Sequence, residues 1–592
     1  MEFFTMKQFL PILLLTSLIS TPSDAKSLND DSTLFLVGGG LKSCSSMSKK
    51  NCNSTKKEQL SQLTGVKFNN LYTISNQNIR QIDQVWTEKF SSANKQQLIK
   101  LLKKASSQLK NNVPLNELKR ALKKNDKHDT LGKMSDPEYY ALFDLLEQPV
   151  LNEKTGERLK EHVALLDSTN YFSTNIYQQF VAQAQKNSGK SKANIVVLTA
   201  SARDPFEAVD FYQSAFEQAG ANTVWLPLDA TLNKMMSIKG NRNVICQDIN
   251  KVRNDIQGSF NREYIYPDLT QLQYKACLNP ESIISAIKNA DGLFINGGDQ
   301  SLTLQAFINS DGTDSQILSL IKQKLTTENF VIGGTSAGTA VMSGGNVTSM
   351  TPMITNGQSD TAIVRGAKSD VLPVEGCQKS GSCNNDLLPD DLTYRTKGGL
   401  GIFHWGVLDT HFSERGRQGR LAQLLIDTDT KYGFGVDEAT ALVVRDLNKV
   451  EVTFSVIGQG GVFIIENSLP KSSQNSVMTH YINYGDTGKI TQGQLDISIA
   501  KWKNLPSESL TSPQNVDSIF DRSRYKSATE LLCRTNSKLI NAQDDWRNNL
   551  INVDVAKTEN SVSGYGAIKI EDNIKEYCAY KSYKLSFNVE IK

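Results

Sequence analysis

Short apolar runs that end in glycine alternate with longer amphipathic segments through the middle of the sequence, and this alternation constrains the fold more than any other feature. Three of the runs are ANIVVLTASA (193–202), DGLFINGGDQ (291–300) and NFVIGGTSAG (329–338). Runs that are apolar throughout are typical of parallel strands buried on both faces of a sheet. The segments between them place apolar residues three and four positions apart, the periodicity of a helix packed on one face. Strand–helix–strand repetition predicts an α/β fold with a parallel sheet and helices on both faces.

The rest of the chain is predicted to surround this core. STLFLVGGGL (32–41) is predicted to join the sheet as a strand, and KGGLGIFHWGVLDTHF and YGFGVDEATALVV are predicted to continue it. Helical periodicity predominates over about 57–191, which predicts a helical insertion in a catalytic domain spanning 33–466. Residues 204–221 are predicted to form one helix with a proline in its first turn. The remaining segment, 467–592, carries no recognisable motif and is treated as a C-terminal extension of unknown role.

The N-terminal residues have the composition of an export signal. Lys7 precedes an apolar stretch from Phe9 to Ile19, and small residues follow it. The stretch is too short to span a bilayer, so residues 1–25 are predicted to be a signal peptide that is cleaved after Ala25. The mature protein is then expected to be soluble and either secreted or periplasmic, with no membrane contact. An N-terminal membrane anchor is the less favoured alternative.

The eight cysteines fall into pairs that are close in sequence, and none has the C-x-x-C spacing of a zinc or redox site. Because an exported protein meets an oxidising environment, four disulfides are predicted. The predicted pairs are Cys44–Cys52, Cys246–Cys277, Cys377–Cys383 and Cys533–Cys578. The alternative, eight free buried thiols, fits poorly with an export signal.

The charge balance argues against polyanionic partners. The chain has 65 lysines and arginines against 62 acidic residues, a net charge of +3, and it has no long basic run. Neither nucleic acid nor an anionic membrane surface is therefore a predicted partner. No metal site and no cofactor are predicted. A homodimer is retained as one option for the oligomeric state.

The segment GGTSAGTAVMSGG contains the pattern G-x-S-x-G around Ser336. This spacing is typical of a nucleophile elbow, a strand-to-helix turn that exposes a serine hydroxyl. Gly334 and Gly338 remove the side chains that would collide at such a turn. The pattern is short, however, and a glycine-rich loop without catalytic function is the alternative. If Ser336 is the nucleophile, the backbone N–H groups of Ala337 and of Gly298 in the turn NGGDQ are the predicted oxyanion donors.

Two of the five histidines flank a predicted core strand, His404 before it and His411 after it. Loops at the carboxyl ends of parallel strands converge on one edge of the sheet, so His411 is the predicted base and His404 is predicted to be structural. Asp437 and Glu438 follow the next strand. One of these carboxylates is predicted to orient His411, and the other is predicted to be a capping or salt-bridge residue.

Three arginines, Arg415, Arg417 and Arg420, lie within ten residues of His411. Guanidinium groups bind carboxylates in bidentate fashion, so this spacing favours a pocket for a substrate with carboxylate groups. The alternative is a solvated basic turn at the start of a helix.

The motifs INGGDQ, GGTSAGTAVMSGG, DTHFSERGRQGRL and GVDEATALVV, in this order and at these separations, resemble those of the cyanophycinases, serine peptidase family S51 of the class I glutamine amidotransferase-like superfamily. The resemblance covers roughly 33–56 and 192–466. It implies a flavodoxin-like sheet. It also implies hydrolysis of cyanophycin, a polyaspartate with arginine on each β-carboxyl, to β-Asp-Arg dipeptides.

The resemblance assigns a role to each matching residue. Ser336 matches the nucleophile, His411 the base and Glu438 the acidic partner. The residues that match the substrate pocket are Gln300, Asp409, Thr410, Arg415, Arg417 and Arg420. Asp409, with Gln300, is expected to receive the guanidinium of the substrate, and the three arginines are expected to hold its backbone carboxylates.

Two positions depart from the family pattern. Thr410 stands where a glutamine precedes the histidine, which predicts a weaker substrate contact there. Asn356 stands where members can carry a carboxylate after the elbow. If that carboxylate is the orienting acid elsewhere in the family, this chain must use Glu438 instead.

The predicted function is that of an exported serine exopeptidase that degrades cyanophycin or a related β-aspartyl polymer through a Ser-His-Glu mechanism. An aspartyl dipeptidase of the same superfamily and a non-catalytic binding protein that keeps the fold are the alternatives. A glutaminase is disfavoured because the elbow carries serine and not cysteine. An α/β-hydrolase is disfavoured because its histidine would follow its acid along the chain.

Overall fold

The computed structural model describes residues 32–90, 94–344, 351–373, 383–384, 386–470, 475–506, 516–570 and 573–592. The predicted signal peptide, 1–25, lies outside these ranges. The strands, in chain order, are β1 Thr33–Val37, β2 Leu71–Tyr72, β3 Val113–Pro114, β4 Glu147–Gln148, β5 Asn194–Leu198, β6 Asn222–Leu226, β7 Gly292–Ile295, β8 Val331–Thr335, β9 Met353–Asn356, β10 Ala367–Ser369, β11 Leu392–Arg395, β12 Val407–Thr410, β13 Tyr432–Val436, β14 Thr440–Arg445, β15 Glu451–Gly458, β16 Gly461–Glu466, β17 Ser476–Asn483, β18 Thr487–Thr491, β19 Gln494–Ser498, β20 Leu539–Trp546, β21 Asn549–Ile570 and β22 Asn573–Ile591.

The α-helices, in chain order, are α1 Ser54–Gln62, α2 Asn76–Val85, α3 Lys95–Ser106, α4 Leu115–Asn125, α5 Asp136–Leu146, α6 Tyr171–Ser188, α7 Val209–Gln218, α8 Ala230–Ser237, α9 Arg242–Ile245, α10 Ile249–Ile256, α11 Arg262–Ile265, α12 Pro267–Leu278, α13 Glu281–Lys288, α14 Gln300–Phe307, α15 Gln316–Thr327, α16 Ala337–Ala340, α17 Ser359–Arg365, α18 Gln418–Thr428 and α19 Arg524–Arg534.

The first of the two large sheets has nine strands in the order β19-β18-β15-β14-β1-β8-β7-β5-β6. Strands β1, β8, β7, β5 and β6 run parallel. Strands β14, β15, β18 and β19 extend the sheet in antiparallel pairs. The order β6-β5-β7-β8 is the 2-1-3-4 order of flavodoxin-like sheets, and β1 takes the next position. The predicted α/β fold is confirmed, although the sheet is mixed rather than parallel throughout.

Successive side chains of the parallel strands bury two hydrophobic layers. In β1, Phe35 packs with Tyr177 and Phe180 of α6 on one face of the sheet. Leu34 and Leu36 pack on the other face, in a cluster that includes residues of α8, α13 and α15. Because alternate side chains of a strand point to opposite faces, a strand that is apolar throughout requires helices on both sides.

Strands β12 and β13 do not continue this sheet, contrary to the sequence prediction. They begin a second sheet of seven strands in the order β12-β13-β16-β17-β22-β21-β20. The place beside β1 is taken by β14, and β13 pairs instead with β16, so the chain changes sheets at residues 437–439. Four strands of the second sheet and two of the first belong to 467–592. The C-terminal extension therefore shares both sheets with the rest of the chain.

The segment 57–191 is mainly helical and has a hydrophobic cluster of its own. Trp86, Leu102 and Leu142 are buried in this cluster, between α2, α3, α4 and α5. Three two-residue strands that the sequence pattern did not indicate pair there in the order β3-β2-β4. The last helix of the segment, α6, packs on the first sheet and so connects the segment to the core.

Three of the predicted disulfides are present: Cys44–Cys52, Cys246–Cys277 and Cys533–Cys578. The fourth prediction, Cys377–Cys383, is not tested because Cys377 lies outside the described residues. Within the described ranges, the helices are too short or too polar to cross a bilayer.

Candidate active site

Ser336 occupies a strained turn between β8 and α16. Its φ and ψ angles are 54° and −117°, outside the regions that L-residues ordinarily adopt. A Cβ atom on Gly338 would lie 2.4 Å from the carbonyl oxygen of Ile295, and one on Gly334 would lie 2.3 Å from that of Gly338. Gly338 is therefore required for the turn to approach β7, and Gly334 is required for the turn to pack on Gly338; the predicted strand-to-helix turn is present.

The hydroxyl of Ser336 lies in a chain of short polar contacts. Its Oγ is 2.7 Å from Nε2 of His411, which follows β12. The other ring nitrogen of His411, Nδ1, is 2.7 Å from Oε1 of Glu438, in the turn between β13 and β14. With the imidazole proton on Nδ1, the ring donates to Glu438 and accepts from the serine. The structure thus brings together the three residues that the sequence suggested as nucleophile, base and acid.

The glycine turn after β1 holds the base and the acid in place. The carbonyl of Gly38 accepts the backbone N–H of His411 at 2.8 Å, and the carbonyl of Gly39 accepts that of Ala439 at 2.8 Å. A Cβ on Gly39 would lie 2.4 Å from Cε1 of His411, and one on Gly40 would lie 2.5 Å from Oε2 of Glu438. Sequence reasoning missed this role, although the run VGGG at the end of a strand was its visible signal.

Asp437, the other candidate acid, has a structural role. Its side chain is fully buried. Its Oδ1 accepts the backbone N–H of Ser413 at 3.1 Å, and its Oδ2 accepts from the hydroxyl of Tyr481 at 2.7 Å and from Nζ of Lys526 at 3.0 Å. Burial opposes its ionisation, but Lys526 and these hydrogen bonds hold the pKa of Asp437 below its ordinary value. Of the two candidate acids, Glu438 contacts His411 and Asp437 does not.

Two of the three arginines surround a single buried carboxylate. Asp409 is 2% exposed. Arg420 donates to it through Nε at 2.8 Å and Nη2 at 2.6 Å, and Arg417 donates through Nη1 at 3.1 Å. Burial alone would raise the pKa of Asp409, but Arg420 and Arg417 outweigh it and keep the pKa below its ordinary value. The expectation that Asp409 receives a substrate guanidinium therefore needs correction, since both of its oxygens are occupied by the chain's own arginines.

The arginines differ in their exposure. The side chain of Arg417 is 17% exposed and that of Arg420 is 7% exposed, so neither belongs to a solvated turn. Burial, together with the neighbouring Arg420, lowers the pKa of Arg417 to about 9, which leaves it protonated at neutral pH. Arg415, in contrast, is exposed.

A cavity of about 770 Å³ opens beside Ser336 and contains most of the predicted site. Of the sequence-predicted residues, it is lined by Ser336, His411, Gly298, Ala337, Gln300, Asp409, Thr410, Arg415, Arg417 and Arg420. Within the described residues, no acceptor takes the backbone N–H of Gly298 or Ala337. The amide of Gln300 donates to the carbonyl of Ile354 at 3.0 Å, and the carbonyl of Thr410 accepts from Arg417 at 2.6 Å.

Other residues are placed away from the triad. Asn356 lines the cavity, but its amide donates to the carbonyl of Asp391 at 3.2 Å. His404 is exposed and packs its ring on Trp405, with the ring centroids 4.0 Å apart. Neither residue contacts His411.

The surroundings of His411 favour the neutral imidazole. Burial has the largest effect and lowers the pKa of His411 below its ordinary value. Glu438 opposes this shift, whereas Arg415 and Arg417 add to it. A base that is neutral near pH 7 and hydrogen-bonded to a serine is suited to accept the serine proton.

The cavity also has lining residues that sequence reasoning did not find. Some belong to the core, notably Asp360, Asp390 and Glu414. Others belong to the C-terminal extension: Ser518, Phe520, Asp521, Arg522 and Asp544. Glu414 was visible in the motif DTHFSERGR, and its Oε2 accepts the backbone N–H of Glu438 at 3.1 Å. No sequence signal marked the residues of the extension, because pairing between distant strands brings them to the site.

Comparison with known proteins shows that this chain is similar to several cyanophycinases. The chain is 24% identical to the cyanophycinase of Trichormus variabilis over 304 residues, which cover 49% of this chain and 84% of that protein. It is 27% identical over 199 residues to the cyanophycinase of Synechococcus elongatus, covering 34% of this chain and 49% of the relative. It is 29% identical over 180 residues to the cyanophycinase of Geminocystis herdmanii, covering 30% of this chain and 51% of the relative. No family model matches the chain. In these partial alignments and in the motifs around Ser336 and His411, the chain is similar to the cyanophycinases.

Proposed function

We propose that this protein is an exported serine exopeptidase that hydrolyses cyanophycin to β-Asp-Arg dipeptides. The observation that carries the proposal is the continuous chain of contacts from Ser336 through His411 to Glu438, beside a cavity rich in arginines. The similarity to cyanophycinases supports the choice of substrate.

In the proposed reaction, His411 Nε2 accepts the proton of Ser336 as Oγ attacks a carbonyl carbon of the aspartate backbone. Glu438 orients the ring and stabilises the imidazolium that forms. The backbone N–H groups of Gly298 and Ala337 stabilise the oxyanion, each by about 3–4 kcal/mol as such donors do elsewhere. His411 then gives the proton to the leaving amine, and water hydrolyses the acyl-enzyme by the same path in reverse.

The substrate carries carboxylates and guanidinium groups along one chain, so its site needs charges of both signs. Arg415, Arg417 and Arg420 supply cations beside the triad. Because Asp409 holds two of these guanidinium groups in fixed positions, we assign it to the ordering of the arginines. Arg415 is exposed in the cavity and is the arginine best placed to meet a carboxylate of an incoming chain.

Incubation of the purified protein with insoluble cyanophycin tests the proposal, with soluble β-Asp-Arg measured by mass spectrometry. The wild type should release the dipeptide and should be labelled at Ser336 by a serine-directed phosphonate. The Ser336→Ala variant should lose turnover and labelling and keep its thermal unfolding temperature, since His411 is the one hydrogen-bond partner of the hydroxyl among the described residues. A Ser336→Ala variant with a tenth of the wild-type rate would refute the assignment of the nucleophile.

Two related substrates separate this proposal from the alternatives. Hydrolysis of α-aspartyl dipeptides in preference to the polymer would favour an aspartyl dipeptidase. Binding of cyanophycin without turnover or phosphonate labelling would favour a non-catalytic protein.

Export is part of the proposal. Disulfides are typical of proteins that fold in oxidising compartments, and three are present in the described residues. Mass analysis of the protein recovered from its native host should give a mature chain that begins after Ala25. A full-length chain in the cytoplasmic fraction would contradict export.

A further inference from the structure

One wall of the catalytic cavity comes from the C-terminal extension, 467–592. A turn at Ser518–Arg522 and the strand β20 contribute this wall. The turn packs tightly on the segment that carries the arginines: a Cβ on Gly416 would lie 1.7 Å from the carbonyl oxygen of Phe520. Phe520 itself is 8% exposed and lies in the hydrophobic cluster of the second sheet. The position of the extension relative to Arg415 and Arg417 is therefore fixed by close packing.

Asp544 is the carboxylate that β20 places on this wall. It is half-buried, and its Oδ2 accepts the backbone N–H of Phe520 at 2.9 Å, which ties the strand to the turn. Strand β20 also packs against α17, the helix that carries Asp360 of the core. Two carboxylates from distant parts of the chain thus line the same cavity as Ser336.

Among the described residues, these two carboxylates differ from Asp409 and Asp521 of the same cavity because they have no cationic partner. Asp409 is paired with Arg417 and Arg420, and Asp521 lies 3.8 Å from Arg524. Asp360 and Asp544, in contrast, form no ion pair with any lysine, arginine or histidine of the described residues. Burial raises the pKa of Asp544, and the negative charge of Asp360 adds to the rise. A half-buried pair of carboxylates without a counterion attracts a cation from outside the protein.

We propose that the C-terminal extension completes the substrate site and that Asp544, together with Asp360, binds the cationic side branch of the substrate. This inference rests on the proposed function and names the part of the chain that selects arginine. The guanidinium is planar and donates in bidentate fashion to carboxylates, which suits two acidic side chains in one cavity. Arg415 of the core, which is exposed in the same cavity, is placed to bind a carboxylate of the same substrate.

Short cyanophycin oligomers and matched oligomers that carry citrulline in place of arginine provide the test. Citrulline has nearly the shape of arginine and no charge, so the ratio of the two kcat/KM values measures recognition of the cation. We expect the wild type to prefer arginine and Asp544→Asn to reduce this preference about tenfold, as the loss of one charged hydrogen bond implies. Asp360→Asn is expected to reduce it similarly, and it leaves the hydrogen bond between Phe520 and Asp544 in place.

Asp545→Asn is the matched control, since Asp545 is the next residue of β20, is exposed and pairs with Lys592 at 2.7 Å outside the cavity. It should leave the arginine-to-citrulline ratio unchanged. An unchanged ratio in both Asp544→Asn and Asp360→Asn, with normal turnover, would overturn this inference and leave the proposed function intact. Failure of the wild type to cleave either oligomer would refute the proposed function, and this inference with it.

Discussion

The strained backbone of Ser336 determines which residue types can occupy the neighbouring positions. Its positive φ places the hydroxyl next to His411. Only glycine fits at Gly334 and Gly338, because a Cβ at either position would lie within 2.4 Å of a backbone oxygen. The G-x-S-x-G pattern is therefore a steric requirement of the turn. The acid that completes the triad has no such signature, since Asp437 and Glu438 are adjacent and chemically alike.

We predict that Glu438→Gln lowers kcat about 100-fold or more, since loss of the orienting carboxylate in comparable triads is at least this costly. The amide can keep one hydrogen bond to His411 Nδ1 but cannot stabilise the imidazolium. Steady-state kinetics on cyanophycin oligomers provide the measurement. Asn356→Ala is the control and should have a much smaller effect; the opposite ranking would assign the orienting role to Asn356.

The pH dependence of kcat/KM should reflect the surroundings of His411. Burial, Arg415 and Arg417 lower its pKa, so activity should fall only when the pH drops below the ordinary histidine value of about 6.5. Removing a nearby cation stabilises the imidazolium and raises the pKa. Arg415→Gln should therefore move the acidic limb of the profile to higher pH, whatever its effect on KM. The exposed Arg547, outside the cavity, provides the control variant Arg547→Gln, and an unshifted limb in Arg415→Gln would contradict this account.

At the level of secondary structure, strands were easier to predict than helix boundaries and sheet membership. The apolar runs of β1, β5, β7 and β8 are buried, apart from the half-buried Asn194 at the start of β5, and the sequence located each of them. The helix predicted over 204–221 begins only at Val209. Asp204 is held by Arg262 at 2.7 Å, and the carbonyl of Pro205 accepts from Thr199 at 2.6 Å. These contacts replace the first helical turn, and local periodicity cannot indicate them because Arg262 lies 58 residues from Asp204 and Thr199 directly follows the preceding strand, β5.

Sheet membership was missed for a related reason. The apolar sequences of strands such as β12 and β13 do not indicate which sheet they join or which strand they pair with. The division into two sheets was therefore not predictable. The triad lies where these sheets meet, with Ser336 after a strand of the first and His411 after a strand of the second. Sequence reasoning could name both residues but not the glycine turn after β1 that connects them.

The glycine turn after β1 leads to a prediction about the position of His411. Gly39→Ala should reduce kcat about 100-fold or more, because a Cβ would lie 2.4 Å from the ring of His411 and would displace the base. Gly65→Ala is a matched control, with a positive φ of 75° and no neighbour within 4 Å. It should cost only about 1 kcal/mol of stability and leave kcat unchanged. Equal losses of activity in the two variants would show that backbone strain, and not contact with His411, is responsible.

Over the whole molecule, the C-terminal extension is joined to the active site by a buried ion pair as well as by the sheets. Lys526 of α19 donates to Asp437 at 3.0 Å, and Asp437 is the residue before Glu438. Asp437 also accepts the N–H of Ser413, two residues after His411. The positive charge of Lys526 thus neutralises the buried Asp437 carboxylate. Asp437 in turn holds the segments that carry His411 and Glu438.

We predict that Lys526→Met destabilises the fold by about 3–5 kcal/mol, since it leaves the charge of Asp437 buried and unpaired. It should also lower kcat, because the turn that carries Asp437 and Glu438 loses its anchor. Urea unfolding and oligomer hydrolysis measure the two effects. Lys501→Met, at an exposed lysine of the extension, should change neither.

A double variant distinguishes the loss of charge balance from the loss of packing. Asp437→Asn removes the buried charge, so adding it to Lys526→Met should restore part of the stability that the single variant loses. If Lys526 acts instead through packing of its hydrocarbon stem, the double variant should not recover stability, because it carries the same methionine as the single variant. If the double variant is as unstable as the sum of the two single variants, Lys526 stabilises the fold through its hydrocarbon stem. The extension would then support the site by contact alone and not by charge.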